Sequence, residues 1–296
     1  MLAAKLPSSK THAPCALRSH AVSAASQVLK ITGLTPGKVN PHCLNQVDMR
    51  ERAVLVCGDS HSEVWRFIGR LSATKRTGRT CVGINVIVNK VPGASAMGLR
   101  NPLSQTQAHS KFTRMLQSLE IEKKAVVFAL GSVDLDFILI LKMLSGEDCS
   151  IQQLIENSVS GLFNFIDSLI AKEIVSLDQV CVQSVFPPCL ESGNHLATVL
   201  KSKQEDSRVN EESLEIPTLR QRTHFALMFN EALLEESRKR GIEFLDFCSV
   251  LIDDETGVVQ DRFRNLQSRF DVHLNFESVA EVCSELAQRT WLGTIL

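Results

Sequence analysis

No run of about 18 consecutive apolar residues occurs in this 296-residue chain, so nothing in it has the length and character of a membrane-spanning helix. Neither sign of charge is in excess: 32 Lys and Arg stand against 33 Asp and Glu, a formal net charge of −1. That balance argues against a protein that grips nucleic acid through a strongly basic surface. With 22% charged and 44% hydrophobic residues, the chain is not a disordered polyelectrolyte either. Its nine cysteines include no C-x-x-C pair, which leaves a zinc ribbon or a thioredoxin-like motif without support. A P-loop and a G-x-G-x-x-G pattern are also missing.

One absence is local. Residues 1–47 contain no Asp or Glu, yet carry Lys5, Lys10, Arg18, Lys30 and Lys38 among many Ala and Ser. The rest of the chain therefore holds 27 basic residues against 33 acidic ones, a formal −6. Residues 1–48 thus read as a basic, acid-free leader, either an organelle transit peptide or a disordered arm, followed by one domain over 49–296. Cys57, Cys81, Cys181 and Cys248 each fall inside an apolar run, as small core residues of a protein kept in a reducing compartment do. The expected location is intracellular: the cytoplasm, or a plastid or mitochondrion if the leader is a transit peptide.

Five short apolar runs rich in Val and Ile predict strands: Ala53–Cys57, Cys81–Val88, Ala125–Leu130, Gln179–Val185 and Ile242–Phe247. Most lack polar alternation, as strands covered on both faces of a parallel sheet do. Amphipathic segments separate them. In Ile151–Ile174, apolar residues such as Ile151, Leu154, Ile155, Leu162 and Ile166 recur at helical spacing. A second helix is predicted after Pro217, opened by Thr218 with Gln221 as a capping box and closed at Gly241 after Arg238, Lys239 and Arg240. Strands alternating with helices imply right-handed crossovers and a doubly wound α/β fold. In such folds the chemistry lies in the loops after the carboxyl ends of the strands.

Three of those loops hold reactive groups. Gly58-Asp59-Ser60 joins the first strand to an amphipathic segment and puts Ser60 at a helix N-terminus, where outward N–H groups favour negative charge; a plain N-cap is the competing reading. Asp271-Val272-His273 precedes a C-terminal helix, and a carboxylate-held histidine is the base that a serine nucleophile needs. Gly93, in the Pro92-Gly93 turn after the second strand, offers a backbone N–H that with Ser60 makes a pair of oxyanion donors. His61 and Asn101 lie in the same set of loops as residues for binding substrate or stabilising charge. Asp253-Asp254-Glu255-Thr256-Gly257 reads as a surface turn, since EF-hand spacing is missing. Trp65, Trp291 and the 14 Phe are assigned to the core.

The order Gly58-Asp59-Ser60, Pro92-Gly93-Ala94-Ser95, Gly131-Ser132-Val133-Asp134 and Asp271-Val272-His273 resembles the SGNH (GDSL-like) hydrolase superfamily across the whole predicted domain. The resemblance implies a flavodoxin-like three-layer α/β/α sandwich with a five-stranded parallel sheet. It also implies a serine esterase working through an acyl-enzyme: Ser60 as nucleophile, His273 as base, Asp271 as its orienting carboxylate, and Ser60 and Gly93 as oxyanion donors. The substrate would be a small acyl ester, with an acylated carbohydrate as one class; no metal, other cofactor or nucleic acid is called for. Two positions depart from the family pattern. Val133 stands where the family's G-x-N-D block has an oxyanion Asn, and the final pair is spaced D-x-H rather than D-x-x-H, which leaves Asp134 as an alternative orienting carboxylate. Val133 also motivates a second expectation, an SGNH-like domain that binds in its cleft without turnover. A flavodoxin-like or nucleotide-binding protein is the third, on fold alone. Oligomeric state is not encoded in any pattern found.

Overall fold

The computed structural model describes residues 52–77, 86–119, 121, 123–147, 150–202, 216–268 and 270–295. The predicted leader and Cys81 lie outside these residues. The sheet has five parallel strands, β1 (Arg52–Gly58), β2 (Val86–Lys90), β3 (Lys123–Ala129), β4 (Val180–Gln183) and β5 (Glu243–Leu245), in the order β2-β1-β3-β4-β5. The chain steps to one side of β1 and then crosses to the other, so the topological switch point lies between the carboxyl ends of β1 and β3. Each strand lies within or across its predicted run. The second departs most, continuing to Lys90, while residues 81–85 lie outside the described part.

The strands are buried on both faces because their residues are apolar at odd and even positions alike. Val54, Leu55, Val56 and Cys57 are all fully buried. Val54 and Val56 join Val88, Val127, Cys181 and Leu245 in one core cluster with Trp65 and Ile68 of α1 (Val64–Thr77) and Val279, Ala280 and Cys283 of α7 (Phe276–Gln288). On the opposite face the Phe128 ring meets Phe165 edge-on at 6.0 Å, and Phe165 lies 6.5 Å from Phe112. Those partners belong to α4 (Ile151–Ala171) and α2 (Ala108–Ser118); the helices α3 (Leu139–Leu144), α5 (Ser192–Ser202) and α6 (Leu219–Arg240) complete the fold. The result is the expected three-layer α/β/α sandwich with a flavodoxin-like strand order.

The predicted caps are present. Thr218 Oγ1 accepts from the Gln221 amide at 3.2 Å while Gln221 returns a bond to the Thr218 amide at 2.8 Å. Gly241 ends α6 in the left-handed conformation with φ of 69°. The region after Phe186 contains α5, whose buried Val199 and His195 give it an inward face; residues 203–215 lie outside the described part. One expectation needs correction. Phe270, assigned to the core with the other phenylalanines, is 55% exposed.

The loops above the sheet depend on one glycine. A Cβ at Gly58 would sit 2.5 Å from Ser62 Cβ and 2.6 Å from the Ala129 carbonyl. Only a residue without a side chain lets β1 end this close to β3, where the Asp59 amide donates to Ala129 O at 3.3 Å and Gly58 O accepts from Val91 N at 2.9 Å. Gly58→Ala is accordingly expected to lower unfolding free energy by about 1–3 kcal/mol through overpacking, read as a reduced midpoint in urea denaturation at unchanged m-value.

Candidate active site

Three loops converge above the switch point. The first begins at Asp59, which caps a short 3-10 turn over Ser60–Glu63: its Oδ1 accepts from the His61 amide at 2.8 Å. Ser62 Oγ donates to the Asp59 carbonyl at 2.6 Å and fixes the turn further. Ser60 opens this turn and is partly accessible, whereas Asp59, His61 and Ser62 are buried. His61, expected as a residue for binding substrate or stabilising charge, is an interior residue. Its Nδ1 lies 3.2 Å from Asp59 Oδ1, and its Nε2 lies 3.4 Å from the carbonyl of Val272.

That second contact joins the Ser60 loop to the last one. There Asp271 Oδ1 accepts from the His273 amide at 3.0 Å and stands 2.6 Å from His273 Nδ1, while its Oδ2 accepts from Asn265 Nδ2 at 2.9 Å. His273 Nε2 is buried and has no hydrogen-bond partner among the described residues. The rings of His61 and His273 lie 4.9 Å apart, centroid to centroid, and Phe276 closes the other side of His273 edge-on at 5.6 Å.

The third loop follows β2. Gly93 takes a left-handed φ of 73° in an exposed turn tied by Ala94 N to Val91 O at 3.0 Å. Among the described residues, neither the Ser60 nor the Gly93 amide has a recorded acceptor. Asn101 serves its own turn: its Oδ1 accepts from the Leu103 amide at 2.9 Å, and it is exposed. Asp134 is engaged elsewhere than at His273. Its carboxylate accepts from the Ala96 amide at 2.7 Å, the Met97 amide at 3.0 Å and Ser158 Oγ at 2.8 Å, and so holds the β2 loop against α4. Val133, immediately before it, is a buried aliphatic side chain at the entrance to a π-helical turn over Asp134–Ile138.

The electrostatics differ among these groups. Burial disfavours charge on His61, but attraction and hydrogen bonding from Asp59, with help from Asp136 and the Val272 carbonyl, outweigh it and raise the pKa above that of a free imidazole. His273 is lowered, first by burial and then by repulsion from His61, against the opposing pull of Asp271. Burial likewise works against ionisation of Asp271, yet the His273 and Asn265 hydrogen bonds hold its carboxyl below the ordinary value. Cys189, whose thiol faces the Val272 carbonyl at 3.3 Å, is pushed up to about 12, chiefly by burial, and is a neutral packing group. Beside the dyad lies a cleft of about 110 Å³ that reaches Asp271 and is lined by Leu190, Leu266, Glu191, Asn194, Arg264 and Asn265 among others.

No protein-family model matches the chain, and no curated protein matches it. Solved structures do resemble it at low identity. A GDSL-like lipase from Bacteroides thetaiotaomicron is 12% identical, covering 94% of this chain and 99% of its own, with a TM-score of 0.47. The lipase/acylhydrolase from Enterococcus faecalis is 13% identical over 83% and 97%, TM-score 0.46. A carbohydrate acetylesterase family member from Sinorhizobium meliloti is 15% identical over 82% and 99%, TM-score 0.47.

Asp134 generates a direct test. Burial raises its carboxyl to about 6 in spite of the hydrogen bonds and with a small push from Asp59. A raised carboxyl contributes stability that is complete below its unfolded value and is lost as pH rises through about 6. The side-chain ¹³C resonance of Asp134 is expected to titrate near that pH, well above an exposed aspartate. Asp134→Ala, which strands two amides and a hydroxyl, is expected to cost about 2–4 kcal/mol in denaturant unfolding at neutral pH.

Proposed function

We propose that the protein is a serine esterase of SGNH type that hydrolyses small acyl esters. The observation that carries this reading is the Asp271–His273 pair. The carboxylate binds Nδ1, leaving Nε2 buried and without a partner among the described residues, in a loop joined to the one that bears Ser60. A hydroxyl is inert until its proton is removed, and an imidazole whose Nδ1–H is held by a carboxylate presents a basic Nε2. In this reading Ser60 Oγ attacks the acyl carbon as Nε2 takes its proton. The imidazolium then protonates the leaving alkoxide, the acyl group remains on Ser60, and water admitted by the same base releases it as a carboxylic acid.

Negative charge on the carbonyl oxygen would be met by the amides of Ser60 and Gly93, both uncommitted among the described residues. The cleft beside Asp271 sets the amide, hydroxyl and charged groups of Asn194, Asn265, Ser268, Glu191 and Arg264 beside Leu190 and Leu266, a mixed lining that would accommodate a hydroxyl-bearing leaving group such as a carbohydrate. Val133 supports a second reading, a cleft that binds without turnover, because an aliphatic side chain supplies no third oxyanion donor and losing one such donor costs about 10²–10³ in rate. Residues 49–296 would form the functional domain and 1–48 a separate leader.

Wild-type protein is expected to be labelled by a fluorophosphonate and to hydrolyse p-nitrophenyl acetate. Ser60→Ala should abolish both, and His273→Ala or Asp271→Asn should lower turnover by about 10³ or more. Because a free-base His273 is required and its pKa is lowered, activity should persist to a lower pH than an ordinary histidine would allow and then fall. Absence of both labelling and turnover in wild type would favour the binding-only reading.

A further inference from the structure

His61 occupies an unusual place for a histidine. It is 5% exposed, and each ring nitrogen faces an oxygen that accepts hydrogen bonds. Nδ1 points at Asp59 Oδ1, which already accepts the His61 amide, and Nε2 points at the carbonyl of Val272, which also accepts the Cys189 thiol. A carbonyl has no proton to give, so the Nε2 contact requires N–H. An ionised carboxylate likewise requires N–H at Nδ1. A neutral imidazole carries a proton on one nitrogen alone and would leave one of these contacts as a lone pair facing an oxygen. With Asp59 as a carboxylate, the imidazolium alone satisfies both.

We infer that His61 is a positively charged positioning residue, an imidazolium clamped between Asp59 and the Val272 carbonyl that ties the Ser60 loop to the His273 loop and biases the neighbouring His273 ring toward its neutral form. The catalytic consequence rests on the esterase reading; the charge assignment does not. The groups that bear on the pair come from three directions. Asp59 lies on the loop of His61 itself, Asp136 lies on the π-helical turn after β3, and Asp271 stands behind His273 on the final loop. The two carboxylates nearest His61 favour its charge. At a centroid separation of 4.9 Å that charge then opposes a second one on His273. The two histidines therefore divide the work: one stays charged and holds the loops, the other stays neutral and accepts the serine proton.

The sign follows directly. Removing the charge at position 61 removes a repulsion from protonated His273, so the pKa of His273 rises and the free base is lost at higher pH. His61→Gln keeps an N–H that can reach the Val272 carbonyl and discards the charge.

The decisive measurement is made in Ser60→Ala, which turns over no ester, by following the ring ¹⁵N resonances of both histidines with pH. At about pH 6.5, where a free histidine is half protonated, His61 is expected to show two protonated nitrogens and His273 the neutral pattern with a proton on Nδ1. In Ser60→Ala/His61→Gln the His273 midpoint should move to higher pH. In the active protein, His61→Gln should move the acid limb of kcat/KM to higher pH by the same interval while the plateau at high pH falls less than the rate at low pH.

A neutral ring pattern for His61 in Ser60→Ala at that pH overturns the proposal, and so does an unmoved His273 midpoint in folded His61→Gln. Should the double variant fail to fold, the charge state of His61 in Ser60→Ala decides alone. Coupled titrations in a protein whose wild type neither labels nor turns over ester would uphold the charged clamp and remove the esterase reading.

Discussion

Everything above the sheet depends on how closely β1 ends against β3. Gly58 leaves no room for a side chain between Ser62 and the Ala129 carbonyl, so the Asp59 amide reaches Ala129 O and the chain must turn at once into the 3-10 segment that begins with Ser60. The same residue's carbonyl receives Val91 N from the loop after β2. A single missing Cβ thus fixes two loops at the switch point, where a parallel sheet opens a crevice. Gly131 repeats the device at the end of β3. Its φ of 125° and the 2.6 Å approach of Val185 Cγ2 to a virtual Cβ leave no alternative residue there.

Three aspartates then set the loops, each in a different way. Asp59 caps the turn that carries Ser60 and lies against His61. Asp134 accepts two amides and a hydroxyl and pins the loop that carries Gly93. Asp271 receives the amide and ring of His273 and the amide group of Asn265. Taking carboxylates out of water is costly, and the cost is offset only where the lone pairs find donors. Asp134 shows the balance most clearly, since even three hydrogen bonds do not bring its carboxyl back to an ordinary pKa. Asp59 leaves Oδ2 buried without a partner among the described residues, so a positive His61 is its main compensation.

Much of this was legible in the sequence because it rests on local patterns. Both-face burial of the strands follows from apolar residues at successive positions, and the ends of α6 follow from Thr218 with Gln221 and from Gly241. The placement of Asp271 beside His273 despite the shortened spacing was harder to read. It arises because Asp271 bonds the His273 amide two residues on, a tight turn in which one intervening residue suffices. The roles of His61, Asp134 and α5 were not readable. Each is fixed by a partner distant in the chain: Val272 for His61, Ala96 and Ser158 for Asp134, and Phe137, whose ring lies 6.4 Å from that of His195, for α5. A signal for His61 did exist, since a histidine two residues after an N-capping aspartate is within reach of its carboxylate.

Val133 bears on the chemistry through what a buried aliphatic group can and cannot do. It cannot donate to an oxyanion, so in the esterase reading stabilisation of developing charge would come from the backbone amides of Ser60 and Gly93 and from fixed charge nearby. Its buried side chain adds apolar surface just beyond β3, and in a site of low dielectric a charge acts over a longer distance than it does in solvent. In the esterase reading the proposed positive His61, one residue from Ser60, is such a charge, partly offset by the Asp59 carboxylate at 3.2 Å. Its field favours negative charge at Ser60 and disfavours positive charge on His273, so the same ion would assist proton removal from the hydroxyl while weakening the base that accepts it. These effects oppose each other at the proton-transfer step. At the next step of the proposed reaction, where protonated His273 would give its proton to the leaving group, the repulsion from His61 would help, because it makes that imidazolium the stronger acid.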